Sequence, residues 1–384
     1  MIAVRWRHAA QLALALSLAG CATSDAPEAP APGGNWTLDA AAVDSLPLLT
    51  PQDGRLLCVA DGRAACPLTQ PIANRLGGDR IALWEPGRPV QIWSADTAPV
   101  TIGRVGQGLG EYQAVLGVGP GSDNAVELID MMTDGARAMT YDAKGVFVES
   151  KPIPAIEDGE ARGFVGALPI LQGMVAHSES GEGAFRIFLL KKATDTTGQL
   201  LLQAPMPWVR LQGTQLVSTP PLFATSPVYA LFPDGEIVWG EGDRIDLVRK
   251  MADGNPRWQL HINRPRLRIT PEEFAAKRAA VQARLDGQLS EVDLDSMTQK
   301  SDTLHPALAG IVATHEGQLY LAAPVAGAEQ IEFIRLRADG KPTGRFLLPS
   351  TTKVLLAAGD SLLVQRPQDG ELHEVRWLRL GTAK

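Results

Sequence analysis

The strongest constraint on the fold is a pattern of two strand-like runs and a turn that recurs along most of the chain. In each repeat a continuously apolar run precedes a run in which apolar and polar residues alternate, and a Gly, Asp or Pro turn follows. Alternation is typical of a strand, and a continuously apolar run fits a strand buried on both faces. The alternating runs are residues 90–93, 136–141, 185–189, 244–248, 331–336 and 373–378. The apolar runs are residues 81–84, 126–129, 170–175, 236–239, 318–321 and 361–364.

Such repeats at intervals of roughly 40–60 residues predict an all-β fold, a six-bladed β-propeller. Most repeats continue after a Gly turn into a further strand, as at residues 142–147. A propeller must close its ring or leave strand edges exposed. The last repeat ends at Leu380 with no outer strand after it, so we expect residues 55–59 to supply that strand.

The interval between the fourth and fifth repeats is long and contains the one convincing helical pattern, residues 270–285. Thr270 followed by Glu273 is a capping-box sequence, which marks a helix start. Phe274 and Val281 fall on one face, so we expect the helix to pack against the propeller. We interpret it as an insertion over one rim.

The glycine-rich segment of residues 102–112 resembles a segment of the bacterial six-bladed β-propeller proteins related to the NHL-repeat group. Its Gly-Arg-x-Gly-x-Gly-x-Gly-Glu-aromatic pattern matches theirs, with Leu109 where that family has proline. The resemblance extends loosely over about residues 70–380. It implies the same fold and little about activity, because that family is largely uncharacterised.

The N-terminus is typical of an exported chain. Arg5 and Arg7 precede an apolar run at residues 11–18 that is too short to span a bilayer. Leu18-Ala19-Gly20-Cys21 then resembles the lipobox of bacterial lipoproteins, which implies cleavage before Cys21 and lipidation of that residue. Because alanine rather than aspartate follows the cysteine, the resemblance favours the outer membrane, and we expect the periplasmic face.

These observations divide the chain into three parts. Residues 1–20 are a signal peptide, and residues 21–34 are the lipidated cysteine and a flexible tether rich in Pro, Ala and Gly. Residues 35–384 are the propeller domain, with its helical insertion at about residues 270–300.

Lipidation of Cys21 leaves Cys58 and Cys66 as the remaining pair in an oxidising compartment. We therefore expect a disulfide between them across a turn, with two buried thiols as the alternative.

The charge balance bears on the partners of the protein. The formal net charge is −7, and loss of Arg5 and Arg7 with the signal peptide makes the mature chain more acidic. We therefore expect no nucleic-acid partner, because phosphate backbones bind basic surfaces.

Motifs of known enzymes are missing. The sequence contains no Gly-x-Ser-x-Gly elbow and no zinc signature, so we predict no catalytic residues and no metal ligands. The mature histidines are scattered and are interpreted as satisfied strand or loop residues: His177, His261, His305, His315 and His373.

Two segments are candidates for ligand binding. Arg264, Arg266 and Arg268 alternate, so in an extended strand their guanidinium groups face one side and could grip a carboxylate or phosphate. The alternative is a solvated edge strand. Glu111 and Tyr112 end the glycine segment, and they either contact a ligand or pin the loop that joins two blades.

Calcium is the one cofactor for which a pattern exists. Glu291, Asp293, Asp295 and Asp302 follow part of the spacing of a calcium loop, but Ser296 replaces its turn glycine. We therefore favour a solvated acidic loop and predict no cofactor.

Two functions remain open at this stage. The favoured one is a monomeric binding module, tethered to the membrane by its lipid, that presents one rim to a periplasmic protein, peptide or glycan. The alternative is a metal-dependent propeller hydrolase, lactonase or lyase that uses the central channel. Fold alone does not choose between them.

Replacing the lipidated cysteine tests the anchor. Cys21→Ser should leave the protein folded but release it from the membrane, because the lipid is its predicted anchor. Fractionation followed by a high-salt wash measures the release. Retention of the Ser variant in washed outer membranes would contradict the prediction.

Overall fold

The computed structural model describes residues 34–60, 68, 70–95, 97–133, 135–154, 160–176, 182–193, 195–212, 215–218, 220–284, 291–326, 329–368 and 373–382. Residues 1–20, for which a signal peptide is expected, Cys21 and Cys66 fall outside these ranges, so the signal peptide, the lipidation and the Cys58–Cys66 disulfide stay predictions. None of the helices in these ranges has the length and apolar character needed to span a bilayer.

The chain forms an all-β, six-bladed β-propeller, as its repeats predict, and each blade is one small sheet. Two strands at the N-terminus, β1 (Asn35–Asp39) and β2 (Leu49–Ala60), precede the first blade. Blade one contains β3 (Ile72–Gly77), β4 (Arg80–Trp84), β5 (Val90–Trp93) and β6 (Val100–Ile102). The connection to blade two contains β7 (Arg104–Val105) and β8 (Glu111–Tyr112). Blade two contains β9 (Ala114–Pro120), β10 (Val126–Met132), β11 (Gly135–Tyr141) and β12 (Phe147–Ile153).

Blades three to six repeat this order. Blade three contains β13 (Glu160–Val165), β14 (Leu168–Ala176), β15 (Glu182–Leu189), β16 (Gln199–Gln212) and β17 (Gln215–Ser218). Blade four contains β18 (Val228–Leu231), β19 (Ile237–Gly240), β20 (Ile245–Lys250) and β21 (Pro256–Asn263). Blade five contains β22 (Gly310–Ala313), β23 (Leu319–Pro324), β24 (Gln330–Leu336) and β25 (Pro342–Pro349). Blade six contains β26 (Lys353–Ala358), β27 (Ser361–Pro367) and β28 (His373–Thr382).

The two runs recognised in each sequence repeat are the middle strands of a blade. Both faces of these strands are buried because every blade packs against two neighbours. Within the described ranges, each of the six interfaces between blades holds a cluster of buried apolar side chains. Trp258 of β21, for example, packs with Leu319 and Ile334 of blade five. Burial of this kind contributes about 25 cal/mol per Å² of apolar surface and is the main stabilising term.

The ring is closed by the N-terminal strand, as predicted. Strand β2 pairs antiparallel with β28, so that Leu49 lies opposite Thr382 and Cys58 lies opposite Val375. Residues 55–59 thus belong to the outer strand of blade six. The first and last parts of the propeller are joined in one sheet.

Residues 35–60, named here the N-terminal strap, cross the outer edges of three consecutive blades. Strand β1 adds parallel to β21 of blade four, and the short helix α1 (Ala40–Asp44) follows it. Next, the carbonyl oxygen of Pro47 accepts a hydrogen bond of 2.9 Å from the backbone N–H of Arg345 in blade five. Strand β2 then completes blade six. The first two attachments were not predicted.

The helical insertion starts as predicted, at a capping box. Helix α2 (Pro271–Arg284) follows Thr270, whose N–H donates to the Glu273 carboxylate at 2.7 Å. In return, the N–H of Glu273 donates to the Thr270 hydroxyl at 3.2 Å. Phe274 and Val281 pack against Leu222 in the connection between blades three and four. The insertion is therefore fixed to the propeller.

The expected acidic loop after this helix is wrong, because Glu291, Asp293 and Asp295 belong to helix α3 (Glu291–Gln299). Leu294 and Met297 of this helix are buried, and packing of these two side chains on the insertion overrides the many charges. A helical backbone here replaces the loop that the calcium spacing requires.

Asp295 and Asp302, the last two members of that pattern, have partners within the protein. Asp295 pairs with Arg278 at 2.8 Å, and Asp302 pairs with Arg266 at 2.6 Å.

Shortening the strap separates its two roles. Deleting residues 35–48 should leave the ring closed but lower the melting temperature by roughly 5 °C, because Trp36 and Leu38 lose their packing on the cluster between blades four and five. Deleting residues 35–60 should abolish the cooperative transition, since blade six then lacks its outer strand. Thermal denaturation followed by circular dichroism measures both. A cooperative melt of the longer deletion near the wild-type temperature would refute the closure argument.

Candidate functional site

Glu111 holds the glycine-rich connection between blades one and two together. Its carboxylate accepts a hydrogen bond of 2.7 Å from the N–H of Gly108 and pairs with Arg104. The hydrogen bond from Gly108, followed by the one from Arg104, lowers the pKa of the Glu111 carboxyl. A β-carbon at Gly106 would come within 2.1 Å of the same carboxylate, so a larger residue there would displace the Glu111 side chain. These contacts fit the loop-pinning alternative.

Tyr112 also has a structural role in this connection. Its side chain is fully buried, and its hydroxyl donates to the carbonyl oxygen of Ile102 and accepts from the N–H of Val90, both at 2.8 Å. Burial is the main reason that the pKa of the Tyr112 phenol rises to about 12. A ligand reaching this hydroxyl would have to displace both backbone contacts.

The three arginines at residues 264–268 differ in their surroundings: Arg264 and Arg266 line one cavity of about 170 Å³, and Arg268 is not among its lining residues. Arg264 pairs with Glu332 of blade five, a carboxylate that is 1% exposed. Arg266 donates to Asp302 at 2.6 Å and to the carbonyl oxygen of His305 at 2.8 Å. Only Arg268 has an exposed side chain without a partner among the described residues. A ligand-binding role for these residues stays a prediction, and the first two have a structural role.

Arg264 and several other arginines pair with a set of buried carboxylates that the sequence did not single out. Glu332 also pairs with Arg345 at 3.0 Å and therefore ties the end of blade four to blade five. Asp130, fully buried in blade two, pairs with Arg137 at 2.9 Å and accepts the N–H groups that end the glycine-rich connection. Glu236 and Glu374 are buried with two arginines each. Side-chain charges that are buried this deeply are stable only when an opposite charge pairs with them.

A solvent-accessible concavity lies on the outer part of blade four. Its volume is about 500 Å³, within the range of small-molecule sites. Strands β1, β19, β20 and β21 present one sheet face to it. We name it the blade-four groove, and its lining residues are Asn35, Trp36, Thr37, Trp239, Gly240, Glu241, Arg244, Asp246, Leu247, Val248, Gln259, Leu260 and His261.

Strand register explains why polar side chains gather in the groove. In β21 the odd-numbered residues face away from the apolar cluster shared with blade five, and the register puts them beside equivalent positions on β1 and β20. One cross-strand row is Asn35, Gln259, Val248 and Trp239. The next row is Thr37, His261 and Asp246. The groove therefore offers an aromatic ring beside amide, hydroxyl and imidazole groups.

Asp246 fixes the orientation of His261. One of its oxygens contacts Nδ1 of His261, and the other lies 3.2 Å from Nε of Arg244. Arg244 also donates to Glu241 at 2.8 Å, and the hydrogen bond and charge of Glu241 are the main causes that raise the pKa of the Arg244 guanidinium. With Nδ1 engaged, Nε2 is the ring nitrogen that remains for a ligand.

Trp239 forms the apolar end of the groove. Its indole Nε1 is buried and has no hydrogen-bond partner among the described residues. The ammonium of Lys250 lies 5.7 Å from the centre of the ring, a distance that fits a cation–π contact. Trp239 also packs beside Ile237 and Tyr229 in the cluster between blades three and four.

No family model matches the chain, and no curated protein sequence matches it either. Solved structures resemble it at low identity. A DUF4221 family member from Bacteroides vulgatus is 10% identical with a TM-score of 0.49 and covers 88% of this chain and 100% of its own. A PQQ-bound aldose sugar dehydrogenase from Streptomyces coelicolor is 14% identical with a TM-score of 0.43 and covers 88% and 100%. Virginiamycin B lyase from Staphylococcus aureus is 10% identical with a TM-score of 0.40 and covers 86% and 99%. Similarity this low carries no argument about activity.

Removing one buried carboxylate tests its structural role. Glu332→Gln should lower the free energy of unfolding by about 3 kcal/mol, because Arg264 and Arg345 lose the charge that compensates them. Urea denaturation measures the loss. The matched control is Glu149→Gln, which removes an exposed pair with Lys151 and should cost less than about 1 kcal/mol. Equal losses in the two variants would show that the buried pairs do not couple the blades.

Proposed function

We propose that the protein is a lipid-anchored binding module on the periplasmic face of the outer membrane and that its blade-four groove binds a glycan. The anchor and compartment rest on the lipobox-like sequence before Cys21 and on the Pro-rich tether. As part of the proposal we group the chain with the NHL-related propeller lipoproteins, because of residues 102–112.

The observation that carries the glycan assignment is the pair of cross-strand rows beside Trp239. A sugar ring has an apolar C–H face, which packs on aromatic rings, and an edge of hydroxyl groups, each of which donates and accepts hydrogen bonds. Asn35 and Gln259 supply amides that donate and accept, and Thr37 supplies a hydroxyl. These groups lie on one rigid sheet face, so their spacing is set by strand geometry and little ordering is needed on binding.

The charges of the groove fit a neutral or weakly charged ligand. Arg244 is paired with Glu241 and Asp246, so its positive charge is compensated within the protein. A phosphate or other strong anion would have to compete with these carboxylates. A polyhydroxylated ligand can instead bond to the groups that remain, including Nε2 of His261.

Binding to isolated peptidoglycan sacculi tests the proposal. The unlipidated mature domain should sediment with sacculi in a saturable manner, and Gln259→Ala and His261→Ala should each weaken binding at least about tenfold, which corresponds to about 1.4 kcal/mol. His315→Ala is the matched control, because this exposed histidine lies in a turn of blade five, outside the groove.

Two outcomes would overturn the glycan assignment. One is the absence of saturable binding to sacculi and to soluble oligosaccharides prepared from them. The other is unchanged binding by both groove variants. Metal analysis of the same purified domain tests the alternative function, a metal-dependent enzyme. Stoichiometric calcium or zinc together with hydrolysis of a lactone or glycan would indicate that function.

A further inference from the structure

A second cavity lies at the seam where the ring closes, between blades six and one. Its volume is about 370 Å³. Blade one contributes Ile81 and Trp93 to its wall, and blade six contributes Leu57, Leu356 and Trp377. These apolar residues also belong to the cluster that joins the two blades. The cavity is therefore built by both ends of the chain.

The charged groups that line this cavity are two arginines and one aspartate. Arg55 of β2 lines it with an exposed side chain and has no ion-pair or hydrogen-bond partner among the described residues. Arg75 also lines it, but its guanidinium is held by Glu316 at 2.8 Å and by the carbonyl oxygen of Gly78. The carboxylate of Asp79 accepts the N–H of Ala95 at 2.6 Å. Arg55 is the cation that remains free for a ligand.

Trp93 provides an independent sign of a missing partner. Its side chain is buried, with 6% of the residue exposed, and its indole Nε1 has no hydrogen-bond partner among the described residues. Buried donors are normally satisfied, so an unsatisfied one needs an explanation, and a water or ligand at the donor is one. The indole of Trp93 and the free guanidinium of Arg55 line the same cavity.

We propose that this seam cavity binds a small planar aromatic carboxylate. The two tryptophans and the aliphatic residues accommodate an aromatic ring, and Arg55 pairs with the carboxylate in the bidentate manner that guanidinium groups favour. Its lining residues belong to blades six and one and none of them lines the blade-four groove, so the two sites are separate. Since blades six and one both contact the ligand, its binding stabilises the closed ring.

Titration with 2-naphthoate, followed by tryptophan fluorescence, tests the proposal, with neutral 2-naphthamide as the matched probe. Wild type should bind naphthoate saturably and at least about tenfold more tightly than the amide. Arg55→Gln should remove this preference, and Trp377→Leu should weaken binding of both probes. Arg379→Gln, at an exposed arginine of blade six that does not line the cavity, is the control and should behave as wild type.

Thermal denaturation provides the second readout. Naphthoate should raise the melting temperature of wild type and of His261→Ala by more than that of Arg55→Gln, because the Gln variant binds it more weakly. If naphthoate raises the melting temperature of His261→Ala as much as that of wild type, the seam cavity is independent of the proposed glycan site. The proposal is overturned if naphthoate does not bind saturably, if the amide binds equally well, or if Arg55→Gln keeps the preference. Because Arg55 is exposed, its replacement should not prevent folding.

Discussion

The pairing of β2 with β28 is the interaction on which the rest of the structure depends. Every blade has two apolar faces, and a closed ring is the arrangement that covers all of them. Without this pairing, the cluster shared by Val375, Leu363 and Ile81 would lose one wall and the outer edge of β28 would be open to solvent. Backbone hydrogen bonds in one sheet therefore maintain apolar burial between the first and last blades.

A second kind of interaction couples blades that the apolar clusters bring together. Glu332 and Asp130 are buried carboxylates, and each holds an arginine and a segment that connects two blades. Such groups are expensive to bury unless their partners stay in place, so they fix the register of one blade against the next. This requirement explains the role of Arg264. In the sequence it belongs to an alternating run of arginines, and in the structure it pairs with Glu332 and joins blade four to blade five.

Part of the architecture could be predicted because its signals are local. The middle strands of each blade stand out through residues buried on both faces, and helix α2 stands out through its capping box at Thr270. Strands β18 and β22 are only four residues long and have no clear alternation, so the innermost strands were not identified one by one. Helix α3 was missed because its acidic residues outweigh Leu294 and Met297 in the sequence.

The candidate site was beyond sequence reasoning for a different reason. Thr37 and His261 are adjacent only because β1 pairs with β21, and nothing in a five-residue segment near the N-terminus identifies that distant partner. Likewise, Asp246 and His261 meet across two strands of blade four, while in sequence each is an ordinary polar residue of an alternating run. The groups of this groove are collected by tertiary pairing, and their chemistry is apparent only after the sheets are assembled.

The strap has a consequence for the order of events during synthesis. Strand β2 is among the first parts of the domain to be made, whereas its partner β28 is the last, so their contacts span almost the whole chain. Folds with such distant contacts pay a large loop-closure entropy before they gain stability, and they form slowly. The outer strand of blade six therefore has no partner until β28 is available. Closure of the native ring waits for that strand.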